Sequence, residues 1–296
     1  MKLAIIGAGK WGMALRHAFS IKNSVYITSL HKRDIDGFIP IEEALSFEYI
    51  IMTIPAQFVR DFLNRYFKYK GQKILVAAKG IEIKSGAFLN EVYEEFLPKE
   101  NLAYLSGPSF AAEVMKSLPT ALVVSSLNKK LSQKFVDAMP PFIKGYIDDD
   151  IIGAEVGGAY KNVIAIAAGI CDGLELGNNA RAALISRGLV EMSRFGVYFG
   201  AKLETFLSLG GAGDLFLTAS SKLSRNYRVG FELAKKRKID EILEELKEVA
   251  EGVWSVKALM KIAKEKNIYL PIAREVDLII KGKDPKESLM DLLKRN

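Results

Sequence analysis

The first half of the chain alternates short apolar runs, rich in β-branched residues, with stretches whose apolar residues recur at helical spacing. Continuous apolar runs predict parallel strands covered on both faces. Strand–helix alternation predicts right-handed crossovers and a doubly wound sheet. The predicted strands are residues 3–6, 25–28, 49–53, 73–77, 102–105, 121–125 and a short one near 145–147. The predicted helices between them are 11–20, 57–67, 87–97 and 130–139.

The pattern changes after an acidic turn at residues 148–150, where strand-like runs give way to helical spacing. Residues 151–169 are apolar and rich in small side chains, which predicts a long buried helix. The later predicted helices are 182–199, 215–224, 229–236, 241–249, 256–264 and 273–280. We therefore predict two domains, an α/β dinucleotide-binding domain at 1–148 and an all-helical substrate and catalytic domain at 149–296.

A glycine-rich turn directly follows the first predicted strand and opens the first predicted helix. Its sequence is Gly7-Ala8-Gly9-Lys10-Trp11-Gly12, a G-x-G-x-x-G pattern in the context that the pattern requires. The first glycine permits the tight turn, the second lets the backbone approach a pyrophosphate, and the third lets the helix pack on the strand. The free N–H groups of the helix then face the phosphates. This turn predicts a bound dinucleotide.

The segment after the second predicted strand indicates which dinucleotide is preferred. A carboxylate there would bind the ribose 2′-hydroxyl of NAD, whereas basic residues accommodate a 2′-phosphate. This chain has His31, Lys32 and Arg33 before its first acid, Asp34. The charges favour NADPH over NADH.

Composition excludes several other classes of protein. The net charge is +7, from 42 basic and 35 acidic residues, and the excess is spread over both halves, unlike a nucleic-acid-binding tail or a membrane anchor. A single cysteine, Cys171, excludes an internal disulfide framework, and with two histidines no metal site is expected. Lys10 and Arg16 interrupt the apolar N-terminus before it reaches secretory length. We expect a cytoplasmic protein without an integral membrane segment.

Five further segments place polar residues among glycines or small side chains, where chemistry is expected. They are Ala78-Lys79-Gly80-Ile81-Glu82, Ser106-Gly107-Pro108-Ser109-Phe110-Ala111, Gly157-Gly158-Ala159-Tyr160-Lys161-Asn162, Gly210-Gly211-Ala212-Gly213-Asp214-Leu215 and Ser224-Arg225-Asn226.

Together with the glycine turn and the later VAEGVWS stretch, these segments resemble the bacterial NAD(P)-dependent glycerol-3-phosphate dehydrogenase family, in the family's order and along nearly the whole chain. The resemblance implies a Rossmann-type domain followed by a helical domain of the 6-phosphogluconate-dehydrogenase type. It also implies interconversion of sn-glycerol 3-phosphate and dihydroxyacetone phosphate with NADH or NADPH, which supplies phospholipid synthesis. Two features depart from the family: Lys10 and Met13 replace small hydroxyl residues, and the chain is compact between the second and third strands.

The resemblance assigns roles residue by residue. Lys161 matches the general acid–base, the proton acceptor when the alcohol is oxidised. The matches to substrate-binding positions are Lys79, Gly107, Ser109, Asp214, Ser224, Arg225 and Asn226. The matches to cofactor-binding positions are Gly7, Gly9, Lys10, Trp11, Gly12, His31, Lys32, Lys79, Ala111, Arg225, Val249 and Glu251.

Plainer interpretations exist for several of these residues. Lys161 could be a structural lysine, Lys79 a surface lysine at a strand end, and Asp214 a helix N-cap. A ketopantoate or β-hydroxyacid reductase would share the glycine turn and often a catalytic lysine, and a non-catalytic NADPH-sensing module would share the turn alone. A homodimer is compatible with the resemblance.

Overall fold

The computed structural model describes residues 1–246 and 250–294. Within these residues seven strands form one sheet, in the order β2-β1-β3-β4-β5-β6-β7. Their bounds are β1 Lys2–Ile6, β2 Ser24–Thr28, β3 Tyr49–Met52, β4 Lys73–Val76, β5 Leu102–Ser106, β6 Thr120–Ser125 and β7 Ile143–Asp148. The first five strands are parallel, whereas β6 pairs antiparallel with β5, and β7 runs parallel to β6. The doubly wound sheet is thus confirmed, with its last two strands reversed.

Helices cover both faces of this sheet. Their bounds are α1 Lys10–Ser20, α2 Ile41–Ala44, α3 Ala56–Tyr66, α4 Leu89–Glu94, α5 Ala111–Val114 and α6 Lys129–Asp137. Alternate residues of β1 belong to different cores: Ala4 and Ile6 pack on one side, and Leu3 and Ile5 on the other. This explains why the strand is apolar throughout rather than alternating.

The second half is helical, as predicted. The helices are α7 Ile151–Gly173, α8 Gly177–Tyr198, α9 Leu203–Phe206, α10 Asp214–Ala219, α11 Arg225–Ala234, α12 Ile239–Leu246, α13 Glu251–Lys266, α14 Pro271–Ile280 and α15 Pro285–Leu293. By length and composition α7 could cross a membrane, but 94% of its apolar window is buried inside the protein. It is the central helix on which α8, α9, α10, α11, α13 and α14 pack.

Glycines let α11 pack closely on α7. A β-carbon placed on Gly169 would lie 2.0 Å from the carbonyl oxygen of Tyr227, and one on Gly230 would lie 1.9 Å from that of Ile166. No larger side chain fits at this crossing. The crossing brings the N-terminus of α11, with Ser224 as its cap, alongside the middle of α7.

Several predicted boundaries were wrong. The predicted helix 215–224 ends at Ala219, and a new helix begins at Arg225 because the Ser224 hydroxyl accepts from the Tyr227 N–H. The helix predicted to begin at residue 182 begins at Gly177. The helix predicted at 87–97 spans only Leu89–Glu94. The short helices α2, α5 and α9, and the C-terminal α15, were not predicted. A four-residue helix is too short to show helical periodicity.

Candidate active site

The glycine turn has the geometry that its sequence predicts. Gly7 has φ +117°, and a β-carbon on Gly12 would lie 1.8 Å from the Gly7 carbonyl oxygen. The Thr53 hydroxyl donates to the same carbonyl at 2.9 Å and so secures the turn from β3. In contrast, a β-carbon on Gly9, at the start of α1, would meet nothing within 4 Å. The turn therefore offers open space at a helix N-terminus, which fits the pyrophosphate of a dinucleotide.

The other predicted cofactor residues of the first half surround this turn. The Gly7 N–H donates to the Thr28 carbonyl at 2.9 Å, so the end of β2 lies beside the turn. His31 and Lys32 follow the end of β2 and are exposed. The Trp11 indole donates to the Ala77 carbonyl at 3.0 Å and thereby ties α1 to the end of β4. Lys10 is exposed at the first position of α1.

Three charged residues from distant parts of the sequence meet where the two halves join. Lys79 Nζ lies 2.6 Å from Asp214 Oδ2, and Lys161 Nζ donates to Asp214 Oδ1. Asp214 is 1% exposed and Lys161 7% exposed. Since two ammonium groups share one carboxylate, the cluster carries a net positive charge while Lys161 is protonated. The N-cap interpretation of Asp214 was wrong, because Asp214 is the first residue of α10 and its side chain binds the lysines.

Small residues of α7 make this convergence sterically feasible. A β-carbon on Gly158 would lie 3.0 Å from Cγ of Lys79, so the lysine chain passes directly over this glycine. A β-carbon on Gly157 would lie 2.6 Å from the carbonyl oxygen of Gly210, in the turn that leads to Asp214. The Gly-Gly pair thus admits both partners of Lys161 to the surface of its helix.

Burial and charge together set the protonation of the cluster. Burial lowers the pKa of Lys161 to about 7, with Asp214 opposing this and Lys79 adding to it. Burial by itself would raise the pKa of Asp214, but the two ammonium groups outweigh it and hold that pKa below its ordinary value. Lys161 can therefore exchange a proton near neutral pH while Asp214 stays ionised.

A chain of amide hydrogen bonds connects the neighbouring helices to the residue after Lys161. Asn226 Nδ2 donates to Asn162 Oδ1 at 2.9 Å, and Asn226 Oδ1 accepts from the Gly252 N–H at 2.9 Å. Arg225, at the start of α11, is exposed and interacts electrostatically with the partly buried Glu251 at the start of α13. Burial raises the pKa of Glu251 to about 7 against the opposing effect of Arg225 and the site lysines.

The loop after β5 approaches the cluster from the sheet side. Gly107 has φ +107°, and its β-carbon would lie 2.9 Å from the Ala121 carbonyl oxygen, so the turn requires glycine. Ser109 Oγ donates to the Gly107 carbonyl at 3.2 Å. Ala111 begins α5, which packs against α1. A β-carbon on Gly210 would lie 2.9 Å from Ser106 Oγ, which brings the end of β5 to the turn that leads to Asp214.

The structure thus brings Lys79, Asp214 and Lys161 together, with Arg225 and Glu251 close enough to interact electrostatically, and places the glycine turn at the end of the same sheet. Val249 lies outside the described residues. Cys171 is buried in α7 and His17 bonds to Ser117 on the α1–α5 side, so neither belongs to the cluster. Within the part of the chain that is described, no group of three or more His, Cys, Asp or Glu could hold a metal ion.

Two contacts of the cluster were missed by sequence reasoning. The Thr218 hydroxyl donates to the Asp214 carbonyl at 2.7 Å and lies 3.4 Å from its Oδ1. Asn162 connects the Lys161 helix to α11 through Asn226. The i,i+4 spacing of Thr218 from Asp214 at a helix start was a usable signal. The partner of Asn162 could not be identified, because it lies 64 positions away.

The fold and this cluster define an oxidoreductase of the dinucleotide-dependent class. The family model of the NAD-dependent glycerol-3-phosphate dehydrogenase N-terminus matches residues 31–132, and that of the C-terminus matches residues 150–291. The chain belongs to the NAD-dependent glycerol-3-phosphate dehydrogenase family.

Individual relatives support this membership along the whole chain. A glycerol-3-phosphate dehydrogenase [NAD(P)+] from a Nitratiruptor species is 60% identical, over 100% of this chain and 99% of the relative. The protein of that name from Sulfurimonas denitrificans is 60% identical over 99% of each chain. The crystal structure of glycerol-3-phosphate dehydrogenase from Coxiella burnetii superimposes with a TM-score of 0.92 at 31% identity, covering 99% of both chains.

Proposed function

We propose that this protein is a glycerol-3-phosphate dehydrogenase that reduces dihydroxyacetone phosphate to sn-glycerol 3-phosphate, and catalyses the reverse oxidation, with NADH or NADPH. The family membership supports the reaction, and the Lys79–Asp214–Lys161 cluster beside a dinucleotide turn is the observation that carries it. The product supplies the backbone of phospholipids.

Lys161 is the proposed general acid–base. When bound, the reduced nicotinamide supplies a hydride to the substrate carbonyl carbon. The carbonyl oxygen gains negative charge as the hydride arrives, and the Lys161 ammonium gives it a proton, leaving a hydroxyl and a neutral amine. In the oxidation the neutral amine takes the hydroxyl proton. A pKa of about 7 suits both directions.

Asp214 and Lys79 hold this group in place. Asp214 stays ionised and fixes Lys161 Nζ through one oxygen, and its other oxygen fixes Lys79 at 2.6 Å. Lys79 adds positive charge, which stabilises the developing alkoxide and attracts an anionic substrate.

The substrate phosphate is proposed to bind at the N-terminus of α11. Arg225 presents a planar guanidinium that suits a phosphate, and Ser224 and Asn226 flank it. Both amide groups of Asn226 already bond within the protein, so its second Nδ2 hydrogen is the one that remains for the substrate. Gly107 and Ser109 close the site from the sheet side.

The cofactor is proposed to lie along the glycine turn from Gly7 to Gly12, with Ala111 against it and Arg225 and Glu251 at the nicotinamide end. Val249 is carried over from the family pattern. The exposed His31 and Lys32, shortly after the end of β2, support a preference for NADPH over NADH.

The remaining proposals concern organisation. We infer a domain division after residue 148, supported by the end of β7 at Asp148 and the start of α7 at Ile151. We also propose a cytoplasmic homodimer.

Steady-state kinetics of Lys161→Met tests the proposed function. Methionine keeps the length and apolar packing but removes the proton-carrying nitrogen, so kcat should fall by roughly 10²- to 10⁴-fold. The variant should fold and bind NADPH as the parent does. A kcat within a few-fold of the parent would refute the assignment and make Lys79 the candidate.

A substrate panel at fixed NADPH separates the alternatives. Turnover of dihydroxyacetone phosphate supports the proposal, and turnover of ketopantoate or a β-keto acid instead would support the related reductases. Binding of NADPH without turnover of any substrate would indicate a sensing module.

A further inference from the structure

We propose that Gln57 is a positioning residue, which holds the loop that carries Lys79 so that the Lys79 ammonium reaches Asp214. The inference rests on the proposed function, because it concerns the geometry of that site. Gln57 lies in the first turn of α3, and it is not part of the cluster itself.

The Gln57 side chain makes two hydrogen bonds to the backbone of this loop. Its Nε2 donates to the Ile81 carbonyl at 2.7 Å, and its Oε1 accepts from the Ile83 N–H at 2.9 Å. The amide therefore bridges two peptide groups that begin two residues after Lys79. Such a bridge constrains the main chain directly, whereas an ion pair on a long side chain would constrain it only loosely.

The loop is seated on α3 at further points. Gly80 has φ +140°, and a β-carbon there would lie 2.9 Å from the β-carbon of Ala56. Arg60 Nε bonds to both carboxylate oxygens of Glu82, at 2.9 and 3.1 Å. Ile81 between them is fully buried. Ala56, Gln57 and Arg60, in the first two turns of α3, thus form a platform that fixes the position of the loop.

The platform is itself aligned with the dinucleotide turn. Thr53, three residues before α3, donates through its hydroxyl to the Gly7 carbonyl at 2.9 Å. The segment from Thr53 to Gln57 therefore connects the turn proposed to bind the cofactor with the loop that presents Lys79. The cofactor turn and the Lys79 loop must both be positioned correctly for the same reaction, and this one short segment contacts both of them.

Displacement of the loop has a specific chemical consequence. Lys79 reaches Asp214 at 2.6 Å, and its ammonium contributes to lowering the pKa of Lys161. A shift of the loop by about 1 Å would break that contact, and misplacements of this size cost up to about 100-fold in rate. It would also let the pKa of Lys161 rise, which moves the pH profile.

Gln72 offers a matched control for Gln57→Met. Gln72 is buried and makes the same kind of bridge: its Nε2 donates to the Leu45 carbonyl at 2.8 Å, and its Oε1 accepts from the Lys70 N–H at 2.6 Å. It directly precedes β4 at the amino-terminal end of the strand, whereas Lys79 follows the carboxyl-terminal end. Gln72→Met therefore removes the same kind of bridge, together with a bond from Nε2 to the Lys68 carbonyl at 3.2 Å, without touching the loop that carries Lys79.

We expect both variants to unfold at a lower temperature. Gln57→Met alone should lower kcat/KM for dihydroxyacetone phosphate by roughly 10- to 100-fold and move the upper limb of its pH profile to higher pH. Amide exchange at Ile83 should accelerate in Gln57→Met and not in Gln72→Met. Gln57→Glu keeps the acceptor for the Ile83 N–H but loses the donor to the Ile81 carbonyl. Its kcat/KM should lie between those of the parent and of Gln57→Met, and it replaces Gln57→Met in the test if that variant does not fold.

The inference is overturned if Gln57→Met matches Gln72→Met in pH profile and kcat/KM, since Gln57 would then be structural only. Unchanged exchange at Ile83 would overturn it as well. A Lys79→Met variant with the pH profile of the parent would also overturn the inference, because Lys79 would then have no influence on Lys161. Failure of the proposed function looks different: the parent itself would not turn over dihydroxyacetone phosphate. The Ile83 exchange would still report on the hydrogen bonds in that case.

Discussion

At the residue scale, the chemistry depends on one carboxylate shared between two ammonium groups. Asp214 is almost fully buried and both of its oxygens are occupied, by Lys79 and Lys161. An uncompensated charge in a buried site costs free energy, so removing one of the three residues should shift the pKa values of the other two. The surplus positive charge is suited to a phosphate-bearing substrate.

The pKa of Lys161 predicts opposite pH dependences for the two directions. Reduction needs the ammonium form, so kcat/KM for dihydroxyacetone phosphate should fall above about pH 7. Oxidation needs the neutral amine, so kcat/KM for glycerol 3-phosphate should fall below that pH. Both profiles can be measured between about pH 5.5 and 9. If kcat/KM fell on the same side of pH 7 in both directions, the assignment of Lys161 as the acid–base would be contradicted.

The basic residues after β2 predict the cofactor preference. Lys32→Ala with Arg33→Ala should weaken NADPH binding more than NADH binding, by roughly 1–3 kcal/mol, the scale of a charge-assisted hydrogen bond. Titration of both reduced cofactors by fluorescence measures this difference. The exposed pair Lys129 and Lys130, at the start of α6, supplies the control double variant, which should leave both affinities unchanged. Equal losses for NADPH and NADH would show that the segment does not bind the 2′-phosphate.

At the scale of elements, α7 organises the site through its glycines. Its small residues accept α11 at Gly169, the Asp214 turn at Gly157 and the Lys79 side chain at Gly158. Glycine lowers helix stability relative to alanine, by about 1 kcal/mol each. The helix tolerates this because most of its surface is buried in the core.

Gly158→Ala should separate activity from stability. The new methyl group would lie 3.0 to 3.1 Å from Cγ and Cδ of Lys79, a flexible side chain that can move away. We expect kcat/KM to fall by roughly 10-fold or more while the unfolding temperature stays the same or rises, because alanine favours the helix.

Gly188→Ala is the contrasting helix variant. Its methyl group would lie 2.8 Å from Cγ2 of Ile164, a β-branched side chain in the core that cannot yield as easily. This variant should lose stability but keep the kcat/KM of its folded fraction. Equal activity losses in the two variants would mean that Gly158 has no special relation to Lys79.

At the scale of the whole molecule, the site exists only where the two halves meet. Lys79 comes from the sheet domain, and Asp214 and Lys161 come from the helical half. Other contacts cross the same junction: among them, the Phe58 and Trp254 rings meet edge to face at 6.0 Å, and the Glu155 carboxyl group accepts from the Asn90 N–H at 3.0 Å. Neither half alone contains the complete cluster.

Glu155 should make the stability of this junction depend on pH. Burial raises its pKa from 4.5 to about 8, with Glu91 and Glu94 adding to the rise and the Asn90 N–H opposing it. The folded protein keeps a proton that the unfolded chain releases, so the free energy of unfolding should fall as pH rises from about 4.5 to about 8. The slope has an upper limit of about 1.4 kcal/mol per pH unit.

Glu155→Gln should flatten this slope, so its stability gain over the parent should be larger at pH 8 than at pH 5. Urea denaturation at the two pH values measures the difference. Glu100→Gln, an exposed change at a carboxylate that does not contribute to the Glu155 pKa, is the control and should leave the slope close to that of the parent. A parent and a Glu155→Gln variant with parallel pH dependences would contradict the prediction.

Local patterns in the sequence were enough to predict the strands, the longer helices and the chemical groups. Apolar runs located the strands to within about two residues, because a strand buried on both faces must be apolar throughout. The glycine turn was predictable because its steric requirements lie within six consecutive residues. Lys161 was conspicuous as the one lysine among small apolar residues of a long helix.

The tertiary structure alone decided which of these groups meet. The reversal of β6 has no local signature, since an apolar strand is compatible with either direction. Lys79 and Asp214 are 135 positions apart, and Gln57 lies 24 positions from the carbonyl it binds. Contacts at such separations depend on how whole elements pack, whereas sequence periodicity reports only which face of an element is buried. The sequence therefore determined the parts of the site, and the packing of α3 and α7 around the loops determined their geometry.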